Sequence, residues 1–229
     1  MTDIVMIAGA FQGGWYFDPV IPSLEAAGYR AFGPTLPGLE PDYLPVTPVN
    51  LESHVSFLER FLDDLGSDDV VLVGHSYGGM VITGAAARSP HRISKLIYLD
   101  SPVPVDGDRV WDLIPVEARG GFVAACPDGY MVEPHPDLMV LEPRSIPHPV
   151  ATFLQPLDAP TDTLTMPRTF AVAGNGSAFQ SVYERLATEP EWETLTLPCG
   201  HDFVREARED VTQLILDQVR ALRSPSHAD

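Results

Sequence analysis

The apolar positions of the chain fall into short unbroken runs separated by stretches in which apolar residues recur every three or four places. "DIVMIA" (Asp3–Ala8), "VVLVG" (Val70–Gly74) and "SKLIYL" (Ser94–Leu99) are the first strong runs, and "RTFAVAG" (Arg168–Gly174) and "ETLTL" (Glu193–Leu197) come later. "RAFGPTL" (Arg30–Leu36) is a weaker sixth, interrupted by Gly33 and Pro34. Runs of this length without polar alternation suit parallel strands covered on both faces. Between them, Leu51, Val55, Leu58, Leu62 and Leu65 make one helical stripe, with Gly66 following as a C-terminal cap. Val204, Ala207, Val211, Leu214, Ile215, Val219 and Leu222 repeat the pattern near the end, with Gln218 as the polar exception, and Pro19 to Ala27 reads as a further helix ending at Gly28. Strand alternating with helix predicts an α/β domain with a doubly wound, mostly parallel sheet.

Residues 103–166 break the alternation. They are rich in proline, lack a long period and lie between two strand candidates. A structureless loop of that length is unusual in a compact domain, so the segment is expected to form short helices as a lid, an insertion within a single domain spanning 1–229. The tail "SPSHAD", residues 224–229, is expected to be disordered.

Charge and composition narrow the partners. Fourteen basic residues stand against 32 acidic ones, a net charge of −18, which argues against nucleic acid or an anionic membrane surface. No stretch approaches the roughly 18 apolar residues that span a bilayer. The N-terminus enters an apolar run with no basic segment before it, so it reads as a strand and not a signal peptide. The two cysteines, Cys126 and Cys199, lack metal-site spacing and make no disulfide framework; a cytoplasmic location is expected. No cofactor or metal is implied, and the expected partner is a small-molecule substrate.

"VLVGHSYGGM" (Val71–Met80) carries the chemistry. "GHSYG" fits the G-x-S-x-G nucleophile elbow, a sharp strand-to-helix turn that needs small residues around an exposed serine. The required context is present: "VVLV" precedes it, and "MVITGAAARS" reads as a helix stopping before Pro90. Ser76 is therefore the candidate nucleophile. A serine hydroxyl needs a base and its developing oxyanion needs donors. The Tyr77 N–H is one candidate donor, and the glycine-rich loop "AGAFQGGW" (Ala8–Trp15) offers the second at Ala10, with Phe11 as the alternative. Among seven histidines, His201 in "LPCGHDF" follows the last strand candidate and precedes the last helix, where the base of such an elbow belongs. His54 is expected on a helix surface, while His135 and His148, in the insertion, could touch substrate.

These segments, with "KLIYLDSPVP", "HPVATFLQPL" and "GHDF", resemble the α/β-hydrolase superfamily, in its compact branch of plant methyl esterases, hydroxynitrile lyases and related bacterial esterases. The resemblance covers nearly the whole chain in order. It implies an α/β-hydrolase fold of about six mostly parallel strands with a small helical cap, Ser76 and His201 as catalytic residues, and an oxyanion hole at Ala10 and Tyr77. There are two departures. Where the family opens its oxyanion loop with His-Gly, this chain has Ala8-Gly9; Gly9 is esterase-like and disfavours cyanohydrin cleavage. The triad acid is expected just after "RTFAVAG", yet "AGNGSAFQ" (Ala173–Gln180) holds no carboxylate, and Asn175 or Gly176 stands at the aligned place. Asp100, at the end of "KLIYL" on the same sheet edge, is the leading substitute. Asn175 as a neutral orienter and a Ser–His dyad are the alternatives, and Asp202 is discounted because it adjoins His201.

The expectation is a serine hydrolase acting on a carboxylic ester of a small organic molecule, with Ser76, His201 and Asp100 catalytic. Phe11, Trp111 and Phe122 are candidate substrate-binding residues, alongside Met131, Met139 and Phe153, although each of the cap residues could equally be cap core. The missing acid motivates an alternative, in which the same fold runs elimination, cyclisation or lyase chemistry in secondary metabolism. A binding protein with a degenerate site is disfavoured, since it has no need of both Ser76 and His201.

Overall fold

The computed structural model describes residues 2–41 and 48–223. Its strands are β1 (Asp3–Ile7), β2 (Arg30–Phe32), β3 (Val70–His75), β4 (Ile93–Leu99), β5 (Met131–Val132), β6 (His148–Pro149), β7 (Arg168–Ala173) and β8 (Trp192–Leu197). The helices are α1 (Ile21–Ala26), α2 (Leu51–Leu65), α3 (Gly78–Arg88), α4 (Val110–Leu113), α5 (Val116–Ala124), α6 (Pro136–Leu141), α7 (Ala151–Leu154), α8 (Gln180–Leu186) and α9 (Phe203–Ala221). Among the described residues, six strands form one parallel sheet in the order β2-β1-β3-β4-β7-β8. The chain steps outward from β1 to β2, then returns to β3 on the other side of β1. That reversal opens a crevice at the carboxyl ends of β1 and β3, where ligands of open α/β sheets bind.

The unbroken apolar runs are explained by two-sided burial. In β1, Val5 and Ile7 pack into the layer containing α2 and α3, while Ile4 and Met6 pack into the layer containing α1 and α9. Both faces of the strand must be apolar, so no polar alternation survives. Helix α2 starts at a capping box in which Asn50 Oδ1 accepts from the Ser53 N–H and Ser53 Oγ accepts from the Asn50 N–H. It ends at Gly66 in the left-handed conformation, as the sequence predicts.

Three expectations need correction. The weak strand covers only Arg30–Phe32, because Gly33 and then Pro34, which has no N–H, cannot carry the ladder on. Helix α1 begins at Ile21 and not at Pro19. His54 is fully buried and not on a surface. It lies three residues after Leu51 and so shares the apolar stripe, and its two nitrogens are bonded there: Nε2–H donates to the Pro37 carbonyl (2.8 Å) and Nδ1 accepts from the Tyr77 hydroxyl (2.8 Å).

Between β4 and β7 run α4 to α7 and the antiparallel pair β5–β6. The expected tail, 224–229, lies outside the described residues. No helix among the described residues is long and apolar enough to cross a membrane.

Leu58, on the buried stripe of α2, has no exposed surface. Leu58→Ala should lower the unfolding free energy by about 2–5 kcal/mol, read as a drop in the urea midpoint. An unchanged midpoint would contradict the two-layer packing.

Candidate active site

Three strand ends converge on the crevice with unusual backbone. Phe11, Ser76 and Asp100 have φ of 69°, 49° and 44°, and among the described residues they are the only non-glycine positions with positive φ. Ser76 and Asp100 directly follow β3 and β4, and Phe11 lies in the loop after β1. Each such conformation costs about 1–3 kcal/mol and survives only where the surroundings over-determine it. At Ser76 those surroundings are explicit. Its N–H donates to the Leu99 carbonyl (3.1 Å), and the first turn of α3 presses against β1 so closely that a Cβ on Gly78 would run into the Ile7 carbonyl oxygen. A Cβ on Gly9 would sit 3.0 Å from that of Ser76, so the loop after β1 passes close against the serine.

A hydrogen-bonded chain runs through three side chains. Ser76 Oγ lies 3.0 Å from His201 Nε2, and His201 Nδ1 lies 2.6 Å from Asp100 Oδ2. The Asp100 carboxylate is wholly buried, and its other oxygen accepts from the Ala173 N–H (3.1 Å) and from the Ser177 hydroxyl. Burial pushes its pKa up, but the bonds from His201, Ser177 and the Ala173 N–H outweigh burial and hold it below the ordinary value near 3.8. An ionised Asp100 can only accept, so the proton between it and His201 sits on Nδ1. The Nε2 lone pair is then left facing the serine hydroxyl, the tautomer a base needs.

His75 supports this imidazole from behind. Its Nε2–H donates to the His201 carbonyl oxygen (2.8 Å), its ring is 4.9 Å from that of His201, and its other face stacks on Tyr16. Burial, with the neighbouring His201, depresses its pKa to about 3, so it stays neutral.

At the place where the resemblance implies an acid, neither Asn175 nor Gly176 is hydrogen-bonded to His201. Asn175 is exposed and engages through its backbone N–H, to the Cys199 carbonyl (2.9 Å). Gly176 is in the left-handed region beside open space. With His201 Nδ1 held by Asp100, neither a neutral Asn175 orienter nor a bare dyad describes this geometry. Asp202 caps α9 and pairs with Arg205 Nε (2.7 Å). Ser177 is a site residue that the sequence reading missed. Its only signal is a hydroxyl following Asn-Gly in a loop without a carboxylate.

The oxyanion candidates divide clearly. Among the described residues, the Ala10 and Tyr77 N–H groups have no hydrogen-bond partner. The alternative donor is engaged, since the Phe11 N–H points to His148 Nδ1 at 3.3 Å. His148 itself is fully buried, with Nε2 bonded to Thr152, and does not face open space as expected of a substrate contact. His135 is exposed and caps α6. Phe11 and Phe122 line one largely apolar cavity of about 440 Å³ together with Ala118, Ala125 and Val132. Trp111 is not among its lining residues; the Arg119 guanidinium lies 5.7 Å from its ring centroid. Phe153 is buried against Tyr77, Phe122 and His148, and Met139 is exposed. Both cysteines are free thiols, and among the described residues no group of three or more His, Cys, Asp or Glu is placed to hold a metal ion.

This fold and site define a class. The model of the alpha/beta hydrolase family matches residues 4–214, and the chain belongs to that family. Among curated relatives, the carbendazim hydrolyzing esterase of Nocardioides sp. (strain SG-4G) is 33% identical over 225 residues, covering 88% of this chain and 93% of that protein. The pyrethroid hydrolase of Sphingobium wenxiniae is 35% identical over 108 residues, covering 47% of this chain and 38% of that one. Among solved structures, an extracellular alpha/beta-hydrolase from a Paenibacillus species superposes with a TM-score of 0.83 at 18% identity, over 95% of this chain and 98% of its own, a likeness of fold.

The carboxylate of Asp100 makes an acid-side prediction. Its folded pKa is depressed, so its stabilisation is present above the unfolded value and is lost as pH falls through the folded one. Between about pH 5 and about pH 2 the wild-type melting temperature should therefore fall more steeply than that of Asp100→Asn, which lacks this carboxylate. Parallel melting curves would contradict the assignment of an ionised Asp100.

Proposed function

We propose that the protein hydrolyses carboxylic esters of small organic molecules through Ser76, His201 and Asp100. The observation that carries this reading is the unbroken chain from Ser76 Oγ to His201 Nε2 and from His201 Nδ1 to the buried Asp100. Ser76 attacks the acyl carbonyl while His201 Nε2 takes its proton. The Ala10 and Tyr77 N–H groups receive the oxyanion, and Asp100 stabilises the imidazolium that forms. His201 then returns the proton to the departing alkoxide, and a water activated by the same imidazole releases the acid and restores Ser76.

Several further points support the reading. A relative alike over 88% of this chain is named a carbendazim hydrolyzing esterase. The apolar cavity beside Phe11 and Phe122 suits an uncharged group of such an ester. The strong negative charge disfavours nucleic acid and anionic surfaces as partners. The non-hydrolytic alternative rests on a missing acid, and Asp100 Oδ2, 2.6 Å from His201 Nδ1, supports the hydrolytic reading instead.

Short p-nitrophenyl esters test the proposal. Ser76→Ala should lose at least about 10³-fold in kcat and should lose labelling by a fluorophosphonate, which modifies Ser76 once per wild-type chain. Asp100→Asn should cost about 10²- to 10⁴-fold in kcat while leaving the fold intact. Wild-type turnover in Ser76→Ala would overturn the mechanism, and wild-type turnover in Asp100→Asn would overturn the role of the acid.

A further inference from the structure

The backbone of Phe11, in the loop after β1, is hydrogen-bonded to the cap. Both polar backbone groups of Phe11 are bonded to the segment just before and within β6. Its N–H donates to His148 Nδ1 (3.3 Å), and its carbonyl accepts from the Ile146 N–H (3.0 Å). Phe11 is also one of the three strained positions, with φ of 69°. Without a partner, its N–H would be one more unsatisfied donor beside that of Ala10.

The protonation of His148 is fixed by its surroundings. The Thr152 hydroxyl donates to the Pro149 carbonyl (2.8 Å), so its oxygen can only accept from His148 Nε2, 2.8 Å away. The ring therefore carries its proton on Nε2 and presents a lone pair at Nδ1 to the Phe11 N–H. A proton on Nδ1 would set donor against donor. Full burial, with the ring of His54 6.0 Å away, favours this neutral form.

We propose that His148 is a positioning residue for the oxyanion hole. It holds Phe11 in its left-handed conformation, so that the preceding Ala10 N–H faces the site where the oxyanion forms. This rests on the hydrolytic reading above. His148 touches neither substrate nor reacting atoms; it acts through the Phe11 backbone, with Thr152 selecting its tautomer.

The test separates transition-state stabilisation from cap shape. His148→Phe keeps an aromatic ring able to stack on Phe153 but removes the acceptor. On short p-nitrophenyl esters its kcat should fall about 10- to 100-fold with KM within about threefold, less than the loss of a whole oxyanion donor. A phenylboronate, which mimics the tetrahedral state, should lose affinity by a similar factor. His148→Asn places an amide oxygen near the position of Nδ1 and should restore most of the kcat. Unchanged kcat in His148→Phe, a loss confined to KM, or no rescue by asparagine overturns the proposal. If circular dichroism shows that His148→Phe does not fold, Thr152→Val carries the test. Freed of its acceptor, the ring loses its fixed tautomer and kcat should drop severalfold at constant KM, and unchanged kcat again overturns it. Ser76→Ala run in parallel keeps the two readings apart. If it retains activity, the hydrolytic reading fails; if it is inactive while His148→Phe turns over normally, only the positioning role fails.

Discussion

The site depends on backbone held in the left-handed region at three places on one sheet edge. Phe11, Ser76 and Asp100 would together cost roughly 3–9 kcal/mol if nothing compensated them, a large part of the 5–15 kcal/mol by which a domain is stable. The parallel ladder supplies the compensation. The Ser76 N–H reaches across to Leu99, and the Asp100 N–H reaches across to Ala171 (2.8 Å). Each strained residue is thus tied to the neighbouring strand or, for Phe11, to the cap. The turn that exposes the serine hydroxyl and the turn that aims the carboxylate are the same device used twice.

That device explains how Asp100, directly after β4, reaches the imidazole although the resemblance implies an acid after β7. The two strands are neighbours, paired with Leu99 opposite Ala171, so the ends of both lie under the same imidazole. Moving the carboxylate one strand over leaves its distance to His201 Nδ1 within hydrogen-bond reach. The loop after β7 keeps a role: the Ala173 N–H and the Ser177 hydroxyl complete the shell of the buried Asp100. Three donors around a buried carboxylate offset the desolvation that would otherwise neutralise it.

Much of this was legible in the sequence because burial leaves a periodic trace. The unbroken runs announced β1, β3, β4 and β7, and the stripe with its glycine stop announced α2 to the residue. Ser76 and His201 were legible as candidates because a nucleophile elbow needs a fixed order of strand, small residues and helix, and the base of such an elbow is expected after the last strand. Asp100 stood above Asn175 because it ends a strand on the same sheet edge as Ser76 and because the resemblance allows an acid there. What stayed hidden is long-range and polar. Ser177 meets Asp100 across 77 positions, and His148 meets Phe11 across 137, and no local pattern reports such pairs. His54 misled because a histidine on a helix reads as exposed until its partners, Tyr77 and the Pro37 carbonyl, are in place.

The central claim is that His201 donates its Nδ1 proton to Asp100. Proton NMR at low temperature reads that bond directly, as a far-downfield Nδ1–H resonance sheltered from exchange. The account predicts this resonance in wild type, in Asn175→Ala and in Asp202→Asn, and its loss in Asp100→Asn. A resonance that persists in Asp100→Asn, or that vanishes in Asn175→Ala, would contradict it.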